Sequence, residues 1–353
     1  MTESNLKNYK KLLEVLICNE CGNDMKINNN FNRFQCKKCK NFYEIHDGII
    51  RCVPNSDWYN LNSQTDDITE KTKNYFGFEW SHFSNWGFIA EDSIKGNKDR
   101  YYGGYVRNRI EAFNNKCRLK SKDLENKFVL DAGCGNGRYT YEAGIRSKNC
   151  LVIGVDIGYG SVQSAFKNNS TLDNVLIIQS SLFKLPFRNC SIDSCFSNGV
   201  LMHTGNAELA FNEISRTIKK EGIFVAHLYG KLNCIWEFND LLIRFFTTRL
   251  SIKKNIIFAK VMSKISTLIS KMPYGFFIAN LFLRIQSTEH HMFDWYSAPV
   301  ATHHTYRELS KWYKKNGFII MDNLNKKINS QEKVMPWKLP WAINLKGKRS
   351  NIL

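Results

Sequence analysis

No apolar run in this sequence reaches the roughly 20 residues needed to cross a bilayer, because lysines interrupt even its greasiest region. The amino terminus, MTESNLKNYKK, lacks the apolar h-region of a secretory leader. The chain is therefore expected to be cytoplasmic. Acidic residues are scarce: 32 Asp and Glu face 50 Lys and Arg, for a formal net charge of +18. Between Leu241 and Thr288 there is no acid at all, against eight basic residues. Such a balance suits nucleic acid or an anionic membrane face, and uniform drift in an Asn- and Lys-rich sequence does not produce so local a gap. Apolar material is not lacking. At 43% hydrophobic and 13% aromatic residues, a disordered or fibrous chain is excluded. A length of 353 residues implies two domains, or one domain with a sizeable appendage. Without a leader, the eleven cysteines do not read as a disulfide framework.

Four of those cysteines are organised. Cys18-Asn-Glu-Cys21-Gly22 is followed by Cys36-Lys-Lys-Cys39, with 14 residues between the pairs. Each CxxC turn aims two thiolates at one ion, and four thiolates close a tetrahedral zinc site with no open position. Such a site is structural. Phe31, Phe34, Phe42 and Tyr43 are expected to give this zinc ribbon its small aromatic core. Beyond Asn55 the pattern weakens into two aromatic clusters, Tyr75-Phe-Gly-Phe-Glu-Trp80 and Tyr101-Tyr-Gly-Gly-Tyr105, and a helix is expected near Val106 to Asn114.

Phe128-Val-Leu-Asp131 then reads as a buried strand ending in an acid, followed by Gly133-Cys-Gly135-Asn-Gly137-Arg and a helix start. A dinucleotide loop would place its third glycine at 138, where this chain has Arg138. Leu151 to Asp156 is a second strand ending in an acid, suited to accept from ribose hydroxyls. Further strands are expected at Val175–Gln179, Ile192–Asn198 and Ile223–Tyr229. An amphipathic helix is expected at Ala207–Lys219, with Leu209, Ala210, Glu213, Ile214 and Ile218 at helical spacing. This alternation describes an α/β fold with a doubly wound parallel sheet. Ligands on such sheets bind outside the carboxyl ends of the strands, where Asp131, Asp156, Ser181, Asn198 and Tyr229 all fall.

VLDAGCGNGR, VIGVD, SSLFKLPF and SIDSCFSNGVLMHT together resemble the motifs of the class I S-adenosylmethionine methyltransferases. The resemblance covers residues 128 to 229. It implies a Rossmann-like, mostly parallel sheet of seven strands and S-adenosyl-L-methionine as cofactor. By it, Asp131, Gly133 and Gly135 would line the methionine and sulfonium end, and Asp156 would hold the ribose. Residues around Ser181 would edge the adenine, and Asn198 would lie beside the sulfonium. Many members carry an acid where this chain has Ser181. The implied organisation is a zinc ribbon at 1–55, an aromatic-rich linker and cap helices at 56–126, and a methyltransferase core at 127–232. An inserted helical lid would follow at 233–300, then a C-terminal helix and the last strands of the core at 301–353.

For the chemistry of transfer, the candidates at the strand ends are His203 and Tyr229, a histidine being able to take a proton near neutral pH. In the lid, Ile257, Phe258, Val261, Met262, Ile265, Leu268 and Ile269 form an apolar helical stripe among five lysines. The stripe is expected to pack on the domain. A basic amphipathic helix also suits peripheral contact with anionic lipid, here through 241–288, or contact with RNA. His290, His291, His303 and His304 flank Asp294 and two tyrosines, and are expected to line a substrate pocket rather than bind metal. This FDWY…HHTY stretch resembles one that follows the core in bacterial zinc-ribbon methyltransferases. Thr305 to Glu308 reads as a capping box opening a helix through Lys315, with a strand from Phe318.

The leading expectation is methyl transfer to a small or lipid-like organic acceptor. An RNA base methyltransferase is the alternative, since ribosomal-RNA guanine methyltransferases also carry a zinc ribbon before this core. NGVLMHT does not resemble their Asn-Pro-Pro-Tyr motif, however. A third reading is a non-catalytic scaffold or subunit that retains the cofactor fold.

Overall fold

Strand β5 (Phe128–Ala132) is buried along its whole length, as a strand must be when helices cover both faces of its sheet. Its side chains alternate between two cores, Val129 entering one and Leu130 the other. Around it the computed structural model of the chain describes residues 3–53, 68–88, 109–286, 288–322 and 342–351. The Tyr101–Tyr105 cluster and the first residues of the helix expected from Val106 lie outside them. That helix, α3, runs Arg109–Lys116.

The chain begins with α1 (Glu3–Leu12) and four short strands: β1 (Met25–Ile27), β2 (Arg33–Cys36), β3 (Phe42–His46) and β4 (Ile49–Arg51). Helix α2 (Ile68–His82) precedes α3. After β5 come α4 (Arg138–Arg146), β6 (Leu151–Asp156), α5 (Tyr159–Asn169), β7 (Val175–Gln179), β8 (Ile192–Asn198), α6 (Ala207–Thr217) and β9 (Ile218–Tyr229). Helices α7 (Cys234–Thr247), α8 (Ile252–Ser270), α9 (Gly275–Phe282) and α10 (Glu289–Ser297) follow. Helix α11 (Tyr306–Lys315), β10 (Phe318–Asp322) and β11 (Ala342–Arg349) complete the described elements.

All the described strands belong to one sheet, ordered β1-β2-β3-β4-β7-β6-β5-β8-β9-β11-β10. The strands from β4 to β9 run parallel through this order, while β11 is antiparallel to both β9 and β10. Strand order reverses at β5, which sits between β6 and β8 and so opens a crevice at its carboxyl end. Helices α1, α6 and α11 contribute to one core, and α3 and α4 to the other.

Several expectations are corrected here. Among the described residues the sheet has eleven strands, not seven, and is mixed rather than mostly parallel, because β4 pairs parallel to β7 and carries β1–β3 onto the same edge. The ribbon therefore shares the main core: Phe34 and Tyr43 are buried in it, whereas Phe42 is exposed. Helix α6 stops at Thr217, and β9 starts at Ile218, five residues before the expected Ile223, with Glu221 absorbing the bend at φ 63°. Leu209 is half exposed on α6.

The lid differs most. Helix α8 buries Asn255, Ala259, Ser263 and Ser266; of the expected stripe, Phe258 and Met262 are partly buried against the core while Ile257, Val261, Ile265 and Leu268 face outward. Small side chains on the inner face let α8 lie closely on α10. Helix α7 is built the same way. It buries Trp236, Asp240, Arg244 and Thr247 and exposes Phe238, Leu241 and Phe245. Its inner polar groups are satisfied by α10: the Trp295 indole donates to Asp240 at 2.7 Å, and Arg244 donates to the Trp295 and Ala298 carbonyls at 2.6 and 2.7 Å. No helix among the described residues is long and apolar enough to cross a membrane.

Candidate active site

The crevice floor is made by the ends of β5, β6 and β8 and the loop after β7. The Gly133 and Cys134 amides both donate to the Val155 carbonyl, at 2.8 and 2.9 Å, which curls the glycine loop over β6. The Asp156 carboxylate accepts from the Gly135 and Gly158 amides at 3.0 and 2.9 Å. Burial raises its pKa, and those two N–H groups partly offset the shift. Asp131 is buried and accepts from the Thr140 hydroxyl at 2.6 Å; burial pushes its carboxyl up to about 7. Ser181 accepts from the Phe183 amide at 3.2 Å.

A roof lies over this floor, supplied by α2 and the turn after it. Ser164 of α5 donates to the Trp80 carbonyl at 2.8 Å, and the Asn136 side chain donates to the Ser84 and Trp86 carbonyls at 3.1 and 2.9 Å. The Trp80 ring consequently lies against Gly135, where a Cβ would meet it at 2.8 Å. Gly135 also has φ 54°, the left-handed region that favours glycine.

Beside the crevice, His203, Tyr229, α2 and α10 form an aromatic chamber. His203 is buried with its ring 5.3 Å from that of Tyr229, edge to face. Its Nδ1 lies 2.6 Å from the Val300 carbonyl. A carbonyl can only accept, so Nδ1 carries the proton and Nε2 is the basic nitrogen, with no hydrogen-bond partner among the described residues. Burial lowers the pKa, keeping the ring neutral. The Tyr229 hydroxyl donates to Asp294 at 2.9 Å, and burial holds the phenol protonated.

The four histidines do not converge. His290 Nε2 is 3.1 Å from Glu79 of α2, and burial pushes Glu79 well up and His290 down to about 4, so the pair is held uncharged. His303 pairs instead with Glu237 of α7 at 2.7 Å. Among the described residues, only Cys18, Cys21, Cys36 and Cys39 are gathered closely enough to hold a metal.

Those four sulfurs lie within 4.8 Å of one another, with Cys18 3.5 Å from Cys39 and Cys21 3.4 Å from both Cys36 and Cys39. Tetrahedral ligands at about 2.3 Å from zinc stand roughly 3.8 Å apart, so the donor set fits that ion. The Asn23 backbone N–H holds Cys21 down at about 6, while Cys39, despite the Asn41 N–H, is pushed up to about 12 by its hydrogen bonds with the neighbouring sulfurs and by desolvation.

At the crevice, two observations fit a bound ligand. Among the described residues, the Asn198 side-chain oxygen is buried without a hydrogen-bond partner, and a Cβ on adjoining Gly199 would meet nothing within 4 Å. The predicted residues Asp131, Gly133, Gly135, Asp156, Ser181 and Asn198 thus line one end of the sheet, with His203 and Tyr229 beside it. Sequence reasoning placed Asp294 within the histidine group but missed Glu79 of the chamber and Trp80 of the roof. It also missed Arg51, which reaches from β4 to Gln179 at the end of β7, 2.6 Å away. The signal for Glu79 was a lone acid inside an aromatic run.

Residues 123–242 match the family described as a methyltransferase domain. Among curated relatives, the malonyl-[acyl-carrier protein] O-methyltransferase of Methylovorus sp. (strain MP688) is 29% identical over 119 residues, 32% of this chain and 40% of that protein. The tRNA U34 carboxymethyltransferase of Ruthia magnifica subsp. Calyptogena magnifica is 32% identical over 107 residues, 29% of this chain and 32% of that protein. The chain spans 40% or less of the length of these relatives. A solved structure of magnesium protoporphyrin IX methyltransferase from Synechocystis PCC 6803 superposes with a TM-score of 0.42 and 14% identity, covering 82% of this chain and all of that one. The chain carries a methyltransferase domain.

Proposed function

We propose that the protein is an S-adenosylmethionine-dependent methyltransferase acting on a small or lipid-like organic acceptor. The observation that carries this reading is the convergence of Asp131, Asp156, Asn198 and the glycine loop at the crevice where strand order reverses, inside the matched methyltransferase domain.

In this proposal Asp156 holds the ribose, Ser181 edges the adenine, and Asp131, Gly133 and Gly135 line the methionine end, with Asn198 near the sulfonium. S-adenosyl-L-methionine, when bound, supplies the activated methyl group. The roof of α2 excludes water from the crevice. His203 receives a proton at Nε2 from the acceptor, its tautomer set by Val300, and Tyr229, fixed by Asp294, orients the acceptor. The neutral Glu79–His290 pair and the surrounding rings favour an acceptor with an apolar body.

The divisions 1–55, 56–126, 127–232, 233–300 and 301–353 are proposed as functional units, with structural zinc held by Cys18, Cys21, Cys36 and Cys39 in the first. Peripheral membrane contact through 241–288, in a cytoplasmic protein, belongs to the same reading. The RNA alternative draws on the net charge of +18 and the tRNA-modifying relative.

Titration calorimetry tests the proposal. S-adenosylmethionine should bind the full chain in the micromolar range, and Asp156→Ala and Gly135→Val should abolish binding. A well-folded, zinc-loaded protein that binds neither it nor S-adenosylhomocysteine would refute the proposal. Cofactor binding that holds while only RNA is methylated would select the alternative.

A further inference from the structure

Fifteen of the 23 exposed large apolar side chains among the described residues fall between Ile235 and Phe282. A soluble surface scatters such residues singly; a concentration of this size marks something that covers them. On α8 they are ordered. Ile257, Val261, Ile265 and Leu268 recur at intervals of four, four and three, forming one exposed row. Lys253, Lys260, Lys264 and Lys271 form a second exposed row, about 75° around the same helix at roughly 100° per residue. Both rows face away from the polar seam that α8 buries. On α7, Phe238, Leu241 and Phe245 likewise face outward. At the turn between α8 and α9, Tyr274 is 74% exposed.

We infer that the outer faces of α7 and α8, with the turn after α8, form an interfacial platform that docks on an anionic phospholipid bilayer. Charge selects this occupant. From 241 to 288 there is no carboxylate to balance the lysines, so a second copy packed isologously would bring lysine rows together uncompensated. Anionic headgroups supply the missing charge, while the adjacent apolar row enters the acyl boundary and Tyr274 sits at headgroup level. No described helix can span the bilayer, so the attachment is peripheral. The platform is wired inward. The same α7 that exposes Phe245 holds α10 through Asp240 and Arg244 and holds His303 through Glu237. Docking thus sets the chamber at the membrane surface, where a lipid-like acceptor resides. This names the partner implied by the proposed function, but the docking argument rests on the surface alone.

Cosedimentation of the full chain with vesicles tests it. Vesicles of phosphatidylcholine with about 30% phosphatidylglycerol should bind the protein, and phosphatidylcholine alone should not. About 0.5 M salt should weaken binding, because the Debye length shrinks. Replacing the four lysines of the row with glutamine should lower affinity about 100-fold or more, at roughly fivefold per lysine. Phe238→Ser with Phe245→Ser should also weaken it. Since these side chains meet solvent, every variant should keep the wild-type melting temperature and S-adenosylmethionine affinity. Equal binding to both vesicle types, or undiminished binding by the lysine variant, would overturn the inference. So would a solution dimer that the serine changes dissociate, which would assign the face to a second copy. Failure of vesicle binding with cofactor binding intact refutes this inference alone; the reverse pattern refutes the proposed function alone.

Discussion

Gly135→Ala separates two costs that the glycine loop combines. At φ 54° an added Cβ enters the left-handed region, which costs an alanine about 1–2 kcal/mol. That Cβ would also stand 2.8 Å from the Trp80 ring, and relieving such crowding typically costs about 1–3 kcal/mol. The expected destabilisation is therefore about 2–5 kcal/mol, read from urea unfolding followed by fluorescence and circular dichroism together. Gly199→Ala is the internal control. Its φ of 74° imposes the same backbone cost, but nothing lies within 4 Å of the new Cβ, so only about 1–2 kcal/mol should be lost. A double-mutant cycle isolates the contact. In a Trp80→Ala background the crowding disappears, and Gly135→Ala should cost no more than Gly199→Ala does. If the penalty at Gly135 is unchanged when Trp80 is removed, α2 does not roof the crevice as described. The same pair divides differently in cofactor binding. Gly199→Ala, the milder of the two changes for stability, projects a methyl into the space beside Asn198 and should weaken S-adenosylmethionine binding by at least about tenfold.

Asp131 predicts a pH dependence in the cofactor-free protein. Its carboxyl ionises near 3.8 when exposed and about 7 when buried, so the native state retains the proton the unfolded chain has lost. Its stabilising contribution is complete below pH 3.8 and falls by about 4 kcal/mol as pH rises through 7. Comparing unfolding of wild type and Asp131→Asn from pH 4 to 8 should show this slope only in wild type; parallel curves would contradict it. Chelation of zinc, or Cys36→Ser, should destabilise the sheet beyond the ribbon by several kcal/mol, roughly, because β4 and Arg51 lose their anchor. Hydrogen exchange would read this as lost protection in β7. Loss confined to β1–β3 would show that the ribbon unfolds independently.

What the sequence disclosed was local. Asp131, Asp156 and the glycines were legible because strand, turn and helix start follow one another within a few residues. The capping box at Thr305 and Glu308 formed as expected, each side chain bonding the other's backbone. The orientation of α8 was not legible. Periodicity shows that Ile257, Val261 and Leu268 share a side, but which side faces inward depends on α10, whose carbonyls and indole receive the polar seam of the neighbouring helix α7. The pairing of β4 with β7 was hidden for a related reason: three buried residues, Ile49–Arg51, carry no mark of the strand they join. The partner of Glu79 was not legible either, because His290 comes against it from α10, far along the chain.

The β4–β7 junction also bears on synthesis. Arg51 and Gln179 are 128 residues apart, so the metal knuckles leave the ribosome long before their neighbouring strand exists. At about 5–20 residues per second the interval is roughly 6–26 s. The nascent ribbon can gather its thiolates locally in that time, yet β4 presents an unpaired edge until β7 emerges, an invitation to the wrong strand. With the four thiolates holding zinc as proposed, ion supply during translation, rather than after it, would govern how much of the chain reaches its proper pairing.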